Sequence, residues 1–334
     1  MTFASSPKLS ALTLMAPAKL NLALSVSAPI SVPGPRAGFH TIASWMVPIS
    51  LCDEVHFAPG GASMKPAERF GVWWCEDAPK PTLIDWPIEK DLGFRALTLI
   101  EKLCGGALPV IISLRKRIPT GGGLGGGSSD AAAVLMGLNR LFKLNLSHEQ
   151  LLSVAVTLGS DVAFFIDEFN YVSGIETTPR GALVTGFGER IKRVPLADNL
   201  LHSRVCVIIP PCACPTGAVY RAFDGFVSLT PRKEADDGRV RQLMTHSSGV
   251  FPAEELFNDL AHAACAVAPQ LGAIHANLQG YFGRPIHITG SGSCMFMMGL
   301  GNAVGVETEG SIVAACAAQG CAAVWTNFIA PGVC

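Results

Sequence analysis

The sequence predicts a mixed fold of strands and helices, large enough for two domains. Three observations carry this. The chain has 334 residues, more than one typical domain holds. Within residues 12–26, Leu20, Leu22, Leu24 and Val26 alternate with Asn21, Ala23 and Ser25, which is the period of a strand. Between Val110 and Phe142, a strand pattern, a basic turn, a glycine-rich loop and a helix pattern follow one another.

The bulk composition excludes several classes. Hydrophobic residues make up 49% and charged residues 15%, so a sizeable core is expected rather than disorder. The net charge of -1 gives no electrostatic footprint for nucleic acid. No apolar run reaches the length of a membrane-crossing helix. The first residues, with Lys8 as their one early basic group, make a poor signal peptide, and Leu12-Thr13-Leu14 reads as strand. The 11 cysteines are scattered, the pattern of a reduced, cytoplasmic protein. Cys212 and Cys214 are the one close pair; a metal or redox role for them lacks a second Cys/His pair at metal spacing.

The stretch from Arg117 to Leu141 organises the rest. Gly121, Gly122, Gly123, Gly125, Gly126 and Gly127 are interrupted only by Leu124, and Ser128, Ser129 and Asp130 follow. Upstream, Val110 to Leu114 is β-branched and reads as a strand. Downstream, Ala131, Val134, Leu135, Leu138, Leu141 and Phe142 recur on one face of a helix. Ser128 or Ser129 is the expected N-cap, with Asp130 in the first turn. Glycines let the backbone approach a ligand with φ > 0. Successive N–H groups then form an anion-binding concavity, reinforced by a helix N-terminus. The alternative is a flexible linker, which the flanking strand and helix disfavour. No lysine follows the glycines as in a P-loop. Gly121-x-Gly123-x-x-Gly126 lacks the acidic residue a dinucleotide fold would want after a second strand. The protein-kinase signatures are absent.

The loop resembles the ATP loop of the GHMP kinase superfamily, the group of galactokinase, homoserine kinase and mevalonate kinase. The form P-x-G-G-G-L-G-G-G-S-S, from Pro119 to Ser129, is similar to that of the 4-diphosphocytidyl-2-C-methyl-D-erythritol kinases of the non-mevalonate isoprenoid pathway. Other stretches agree in order. Pro17-Ala18-Lys19-Leu20-Asn21 resembles that family's first motif, in which the lysine is catalytic; from the residues alone, Lys19 reads equally as a solvated charge at a strand edge. Gly38-Phe39-His40 stands where the family carries Gly-Tyr-His, whose aromatic and histidine contact cytosine. Asp91-Leu92 stands for the family's Asn-Leu at a helix start. Gly159-Ser160-Asp161-Val162-Ala163-Phe164-Phe165 resembles G-A-D-V-P-F-F, whose aspartate is catalytic; the bland reading of Asp161 is a helix N-cap. Gly186 to Glu189, after extra residues around Glu176 to Arg180, resembles G-x-G-E. Pro215-Thr216 with Val219-Tyr220 is similar to P-T-x-x-V/I-[FY], and Asn258-Asp259-Leu260 to N-D-F/L. Thr289 to Phe296 resembles the third superfamily motif, where a glycine turn approaches the active site.

Between these motifs, residues 12–26 read as two strands around Ala16 to Lys19, and 41–57 as a strand pair. Residues 59–87, with Trp73, Trp74 and Trp86, read as a long loop whose tryptophans either shield nucleotide or simply pack. A helix after Asp91 carries Ala96, Leu99, Ile100 and Leu103 on one face. Ser147 caps a helix to Leu158. Residues 225–250 read as loop, Ala264, Val267 and Leu271 as one helix, and 310–325 as a closing helix and strand.

The resemblance implies an α+β chain with the two-domain GHMP kinase fold. Residues 1–200 would be a ribosomal-S5-domain-2-like ATP-binding domain and 201–334 a ferredoxin-like domain. The implied activity is ATP-dependent phosphorylation of the C2 hydroxyl of 4-diphosphocytidyl-2-C-methyl-D-erythritol, with Mg²⁺. Asp161 would accept the hydroxyl proton, and Lys19 would steady the developing alkoxide. Pro119, Thr120, Gly121 to Gly127, Ser128 and Ser129 would hold the phosphates. Asn21, Phe39 and His40 would bind substrate. The metal ligands are not named by the sequence, beyond a seryl hydroxyl at 128 or 129. The partner is a small molecule, with neither nucleic acid nor membrane, and the chain a monomer or homodimer. Two alternatives stay open: another small-molecule kinase of the superfamily, or a non-catalytic relative that binds nucleotide or a protein partner.

Overall fold

Strand β1 (Leu12–Val26) is the spine of the molecule. The computed structural model describes residues 11–61, 63–168, 178–227, 234–245, 251–299 and 308–329. β1 lies between β2 (Ile42–Pro59) and the short β8 (Phe257–Asn258). Beyond β2 come β4 (Val110–Lys116) and β3 (Phe70–Trp74). β5 (Ala182–Gly186) also pairs with β2, and β6 (Arg190–Arg193) with β5, giving a seven-stranded sheet. A second sheet has the order β11 (Ala322–Asn327), β7 (Arg204–Ile209), β10 (Met295–Met298), β9 (His287–Ile288).

The two strands expected in 12–26 are one, and so is the pair expected in 41–57. Pro17 does not break β1, because the register against β2 shifts between Pro17 and Ala18. Proline is tolerated at such a bulge, where no ladder donor is required. A second shift lies between Asn21 and Ala23, leaving Leu22 unpaired. This bulge ends the alternation read from the sequence. Leu20 and Leu22 stay in the core between the sheets, whereas Leu24 turns to the cleft side with Lys19 and Asn21.

Three helices cover the face of the large sheet turned away from the second sheet. α1 (Leu92–Cys104) is capped by the Asp91 side chain, which accepts from Gly93 N and Phe94 N. It buries Phe94, Ala96, Leu97 and Ile100, and leaves Leu103 exposed rather than in the stripe. α2 (Gly126–Leu141) packs Ala131, Val134, Leu135 and Leu138 against β-strand residues such as Phe57 and Ile112. α3 (His148–Leu158) starts at a capping box between Ser147 and Gln150, as expected. A second core lies between the sheets, with Leu20, Trp45, Val207 and Phe296. On β7 the side chains alternate, so Cys206 and Ile208 face a third core. That core is formed with helices Thr216–Val227 and Pro269–Phe282.

Three later expectations are corrected. Residues 225–250 are not simply loop: helix Thr216–Val227 continues into them, and Asp237–Met244 is a helix whose N-cap, Asp236, accepts from Arg239 N. The helix expected to carry Ala264, Val267 and Leu271 is two, Ala261–Val267 and Pro269–Phe282, because Pro269 starts a new one at its first position. The long loop at 59–87 contains β3, parallel to β4. Glu176, in the expected insertion, lies outside the described residues. No helix among the described residues is long and apolar enough to cross a membrane.

Candidate active site

A cleft of about 390 Å³ opens where β1, the glycine loop, the β9–β10 turn and helix Thr216–Val227 meet. Its floor is set by β1. Lys19 is 3% exposed, and its Nζ donates to Asn21 Oδ1 and lies 3.5 Å from Asp161 Oδ2. Burial pulls the Lys19 pKa below the ordinary lysine value, and the Asp161 carboxylate opposes that shift. Lys19 is therefore no solvated edge charge. Asn21 is fixed in turn. Its Nδ2 donates to Ser44 Oγ (2.8 Å) and its backbone N–H to Thr289 Oγ1 (3.0 Å), so its carbonyl oxygen is the atom left to meet the ammonium.

Asp161 lies just before the short 3-10 helix Val162–Phe165, at the formal N-cap position, yet its side chain makes no capping bond. Its carboxylate is 29% exposed in the cleft and accepts from Ser160 Oγ at 3.3 Å. The capping account of Asp161 therefore fails on geometry.

The loop is anchored at both sides. Lys19 N–H donates to Leu124 O (2.9 Å) and Cys294 N–H to Gly122 O (3.1 Å). Gly121, Gly123 and Gly125 have φ of 69°, 77° and 73° while the residues between them do not take positive φ. This alternation is how consecutive N–H groups converge on an anion. At Gly123 a Cβ would lie 2.3 Å from Thr289 O, so only glycine lets the loop seat against the β9–β10 turn. Gly125 is the N-cap of α2. The helix thus starts earlier than expected, because an αL glycine ends the loop. Ser128 and Ser129 are inside the first turns, and Asp130 is buried beyond them.

Of the eleven loop positions from Pro119 to Ser129, Gly121, Gly123, Gly125 and Ser128 line the cleft. Pro119, Gly122, Leu124, Gly126 and Ser129 are buried, and Thr120 and Gly127 are exposed outside the cleft lining. Ser128, not Ser129, therefore offers its hydroxyl side to the cleft. Among the described residues no group of three His, Cys, Asp or Glu side chains could hold a metal ion.

Phe39 and His40 are not among the residues lining the cleft. Phe39 is 57% exposed, with its ring edge-on to Phe187 at 6.4 Å. His40 is pinned by Nδ1 donating to Ser27 O (2.9 Å), and its ring tilts on Tyr220 with centroids 5.0 Å apart. Tyr220 itself lines the cleft. Burial, with the Asp161 charge second, pushes its phenol up to about 12. The sequence reading gave Tyr220 and Thr216 a motif but no role; the helix that carries them projects both into the cleft. Thr216 and Ser291 share a hydrogen bond of 2.9 Å across its edge. Asn258 and Asp259 act from behind. Asn258 Nδ2 donates to the carbonyls of Ile288 and Gly290 (both 2.7 Å), and Asp259 accepts from Val26 N (2.9 Å).

Known proteins resemble this chain in sequence and fold. The family model for the GHMP kinases N terminal domain matches residues 91–168. The 4-diphosphocytidyl-2-C-methyl-D-erythritol kinase of Polaromonas sp. (strain JS666) is 33% identical over 291 residues, 85% of this chain and 82% of that protein. The chain belongs to the 4-diphosphocytidyl-2-C-methyl-D-erythritol kinase family. A member of the family from Symbiobacterium thermophilum is 39% identical over 219 residues, 65% of this chain and 66% of that relative. A crystal structure of 4-(cytidine 5'-diphospho)-2C-methyl-D-erythritol kinase superposes with a TM-score of 0.64 at 28% identity, covering 95% of this chain and 99% of that one. The fold is thus the α+β GHMP kinase fold, and the chain is a kinase of that family.

Proposed function

We propose that this enzyme transfers the γ-phosphoryl group of ATP to the C2 hydroxyl of 4-diphosphocytidyl-2-C-methyl-D-erythritol, a step toward isoprenoid precursors. The observation that carries the reading is the Lys19–Asp161 pair, 3.5 Å apart, facing the same cleft as Gly121, Gly123, Gly125 and Ser128. The acceptor hydroxyl is tertiary and a weak acid. Asp161, partly exposed in the cleft, accepts its proton as the oxygen attacks phosphorus. The Lys19 ammonium, held by Asn21, donates to the oxygen as negative charge develops, in a buried setting where such a bond is strong. The glycine loop fixes the phosphates in line, which is most of what phosphoryl transfer requires of a protein. The oxygen–phosphorus bond forms, the bond to ADP breaks, and the proton rests on Asp161.

The loop fits nucleotide phosphates because its alternating αL glycines turn backbone N–H groups toward one side, and at Gly123 a side chain would push the loop off the β9–β10 turn. Mg²⁺, when bound, would neutralise charge on those phosphates. Of this chain's residues, the Ser128 hydroxyl on the cleft wall would help hold it. Tyr220, backed by His40, supports a flat wall for the cytosine ring, with Phe39 outside that wall. The same reading carries a division into two domains near residue 200, supported by the change of sheet between β6 and β7. It also carries a cytoplasmic monomer or homodimer acting on small molecules.

The test is an acceptor panel. Protein and Mg-ATP are mixed with 4-diphosphocytidyl-2-C-methylerythritol, homoserine or mevalonate, and ADP release is followed. Turnover with the cytidine compound alone is expected. Turnover only with another alcohol would keep the fold and discard the substrate. Absence of turnover in folded, ATP-binding protein would favour a non-catalytic relative.

A further inference from the structure

Beneath the glycine loop lies a buried charge cluster that the reaction does not use. Lys116, the last residue of β4, is 4% exposed, Asp53 on β2 is fully buried, and Asp130 on α2 is 2% exposed. The Lys116 ammonium donates to Asp53 Oδ2 and to Asp130 Oδ2. The other oxygen of Asp53 accepts the backbone N–H groups of Arg117 and Ile118, the residues that lead into the loop. At the far end of the loop, a Cβ on Gly126 would come within 3.5 Å of Asp53 Oδ2 and 2.8 Å of Ile118. One aspartate therefore holds the start of the loop, one helix residue holds its end, and a lysine ties the two together. Among the described residues Asp130 Oδ1 is buried with no hydrogen-bond partner, and Lys116 is the one side chain that donates to this carboxylate.

Three charges buried within a single cluster are a costly way to fill space, since apolar residues of similar volume are often as stabilising. Their geometry explains the choice. The two carboxylates act at opposite ends of one loop, and the distance between those ends sets how far apart the αL glycines stand. We infer that Asp53, Lys116 and Asp130 are positioning residues that fix the span of the phosphate loop, and that ATP affinity depends on them although none lines the cleft.

This rests on the reading of the loop as the ATP cradle, and the experiment separates the two. Binding of Mg-ATP is measured by titration calorimetry for wild type, Asp130→Asn and Asp53→Asn, alongside KM for ATP and for the cytidine substrate. Both variants are near-isosteric and remove one charge; Lys116→Met is the harsher one and is judged only if it melts cooperatively. Wild type should bind. Asp130→Asn should weaken Mg-ATP by roughly tenfold, the scale of one charge-assisted hydrogen bond, with KM for the cytidine substrate within about twofold of wild type. Hydrogen exchange at the Arg117 and Ile118 amides should quicken in Asp53→Asn. No ATP binding by wild type would sink the cradle itself. Unchanged ATP affinity in folded variants, or equal loss for both substrates, would overturn the positioning role and leave the cluster as plain structure.

Discussion

Replacing Asp161 with Asn keeps the shape of the side chain and removes its ability to take a proton. If the carboxylate is the base, kcat should fall by about 10²–10⁴-fold, the usual worth of such a group, while calorimetry finds ATP binding unchanged. A kcat within about threefold of wild type would remove Asp161 from that role. Lys19 makes a second prediction, in pH. Its folded pKa lies below 10.5 because it is buried, so the ammonium is complete below that lowered value and is lost as pH rises through it. The alkaline fall in kcat should therefore come at a lower pH than an ordinary lysine would give. Lys19→Arg, which stays charged, should lack that fall in whatever rate it retains; an unchanged profile would mean another group sets it. Lys19 and Asp161 were readable because each sits in a short motif whose neighbours are themselves distinctive. Their pairing was implied only by the family resemblance, which set Lys19 beside Asp161; the residues alone could not give it, since it depends on β1 and the segment before Val162 meeting in space. Tyr220 was hidden for a different reason: on a helix with an apolar stripe, a cleft-facing aromatic looks like a core one.

At the scale of elements, backbone chemistry decided what the sequence made visible. The glycine loop, α2 and α3 were legible, because glycine runs, period-3.6 stripes and the Ser147–Gln150 box are local signals. The continuity of β1 was not, because a proline reads as a break until a bulge is known to absorb it. The bulge at Leu22 also explains why strict alternation assigned Leu24 to the wrong side. Helix Asp237–Met244 buries only Val240 and Leu243, too sparse a stripe to stand out among charged residues. The caps give a stability test. Asp91 accepts from Gly93 N and Phe94 N (2.8 and 3.2 Å), so Asp91→Ala should cost about 1 kcal/mol in urea unfolding. A loss near zero would mean that solvent satisfies the Gly93 and Phe94 N–H groups as well as the carboxylate does. Asp91→Asn should cost less, because the amide oxygen still accepts.

The whole molecule is held by the core between its two sheets, and the active cleft sits at the edge of that core. Trp45 is 3% exposed there, 5.9 Å from Phe251, on the strand that carries Ser44 behind Asn21. Trp45→Ala should cost about 3–5 kcal/mol of stability and, by loosening β2 against β1, should lower kcat more than its surviving folded fraction explains. A kcat that merely tracks folded fraction would mean the core supports the cleft without tuning it. No window of the sequence contains this layer, since its residues come from β1, β2, β7 and β10. What the sequence did carry was the order of motifs, which is why the fold was recognisable before the packing was. The phosphorylated product itself shows most directly whether Asp161 drives transfer to the C2 hydroxyl. Wild type and Asp161→Asn would be incubated with Mg-ATP and ¹³C-labelled 4-diphosphocytidyl-2-C-methylerythritol, and the product examined by ³¹P and ¹³C NMR. One new phosphomonoester coupled to C2 is expected, formed by wild type and nearly absent with the variant. Phosphate on a different carbon, or equal product from both proteins, would contradict it.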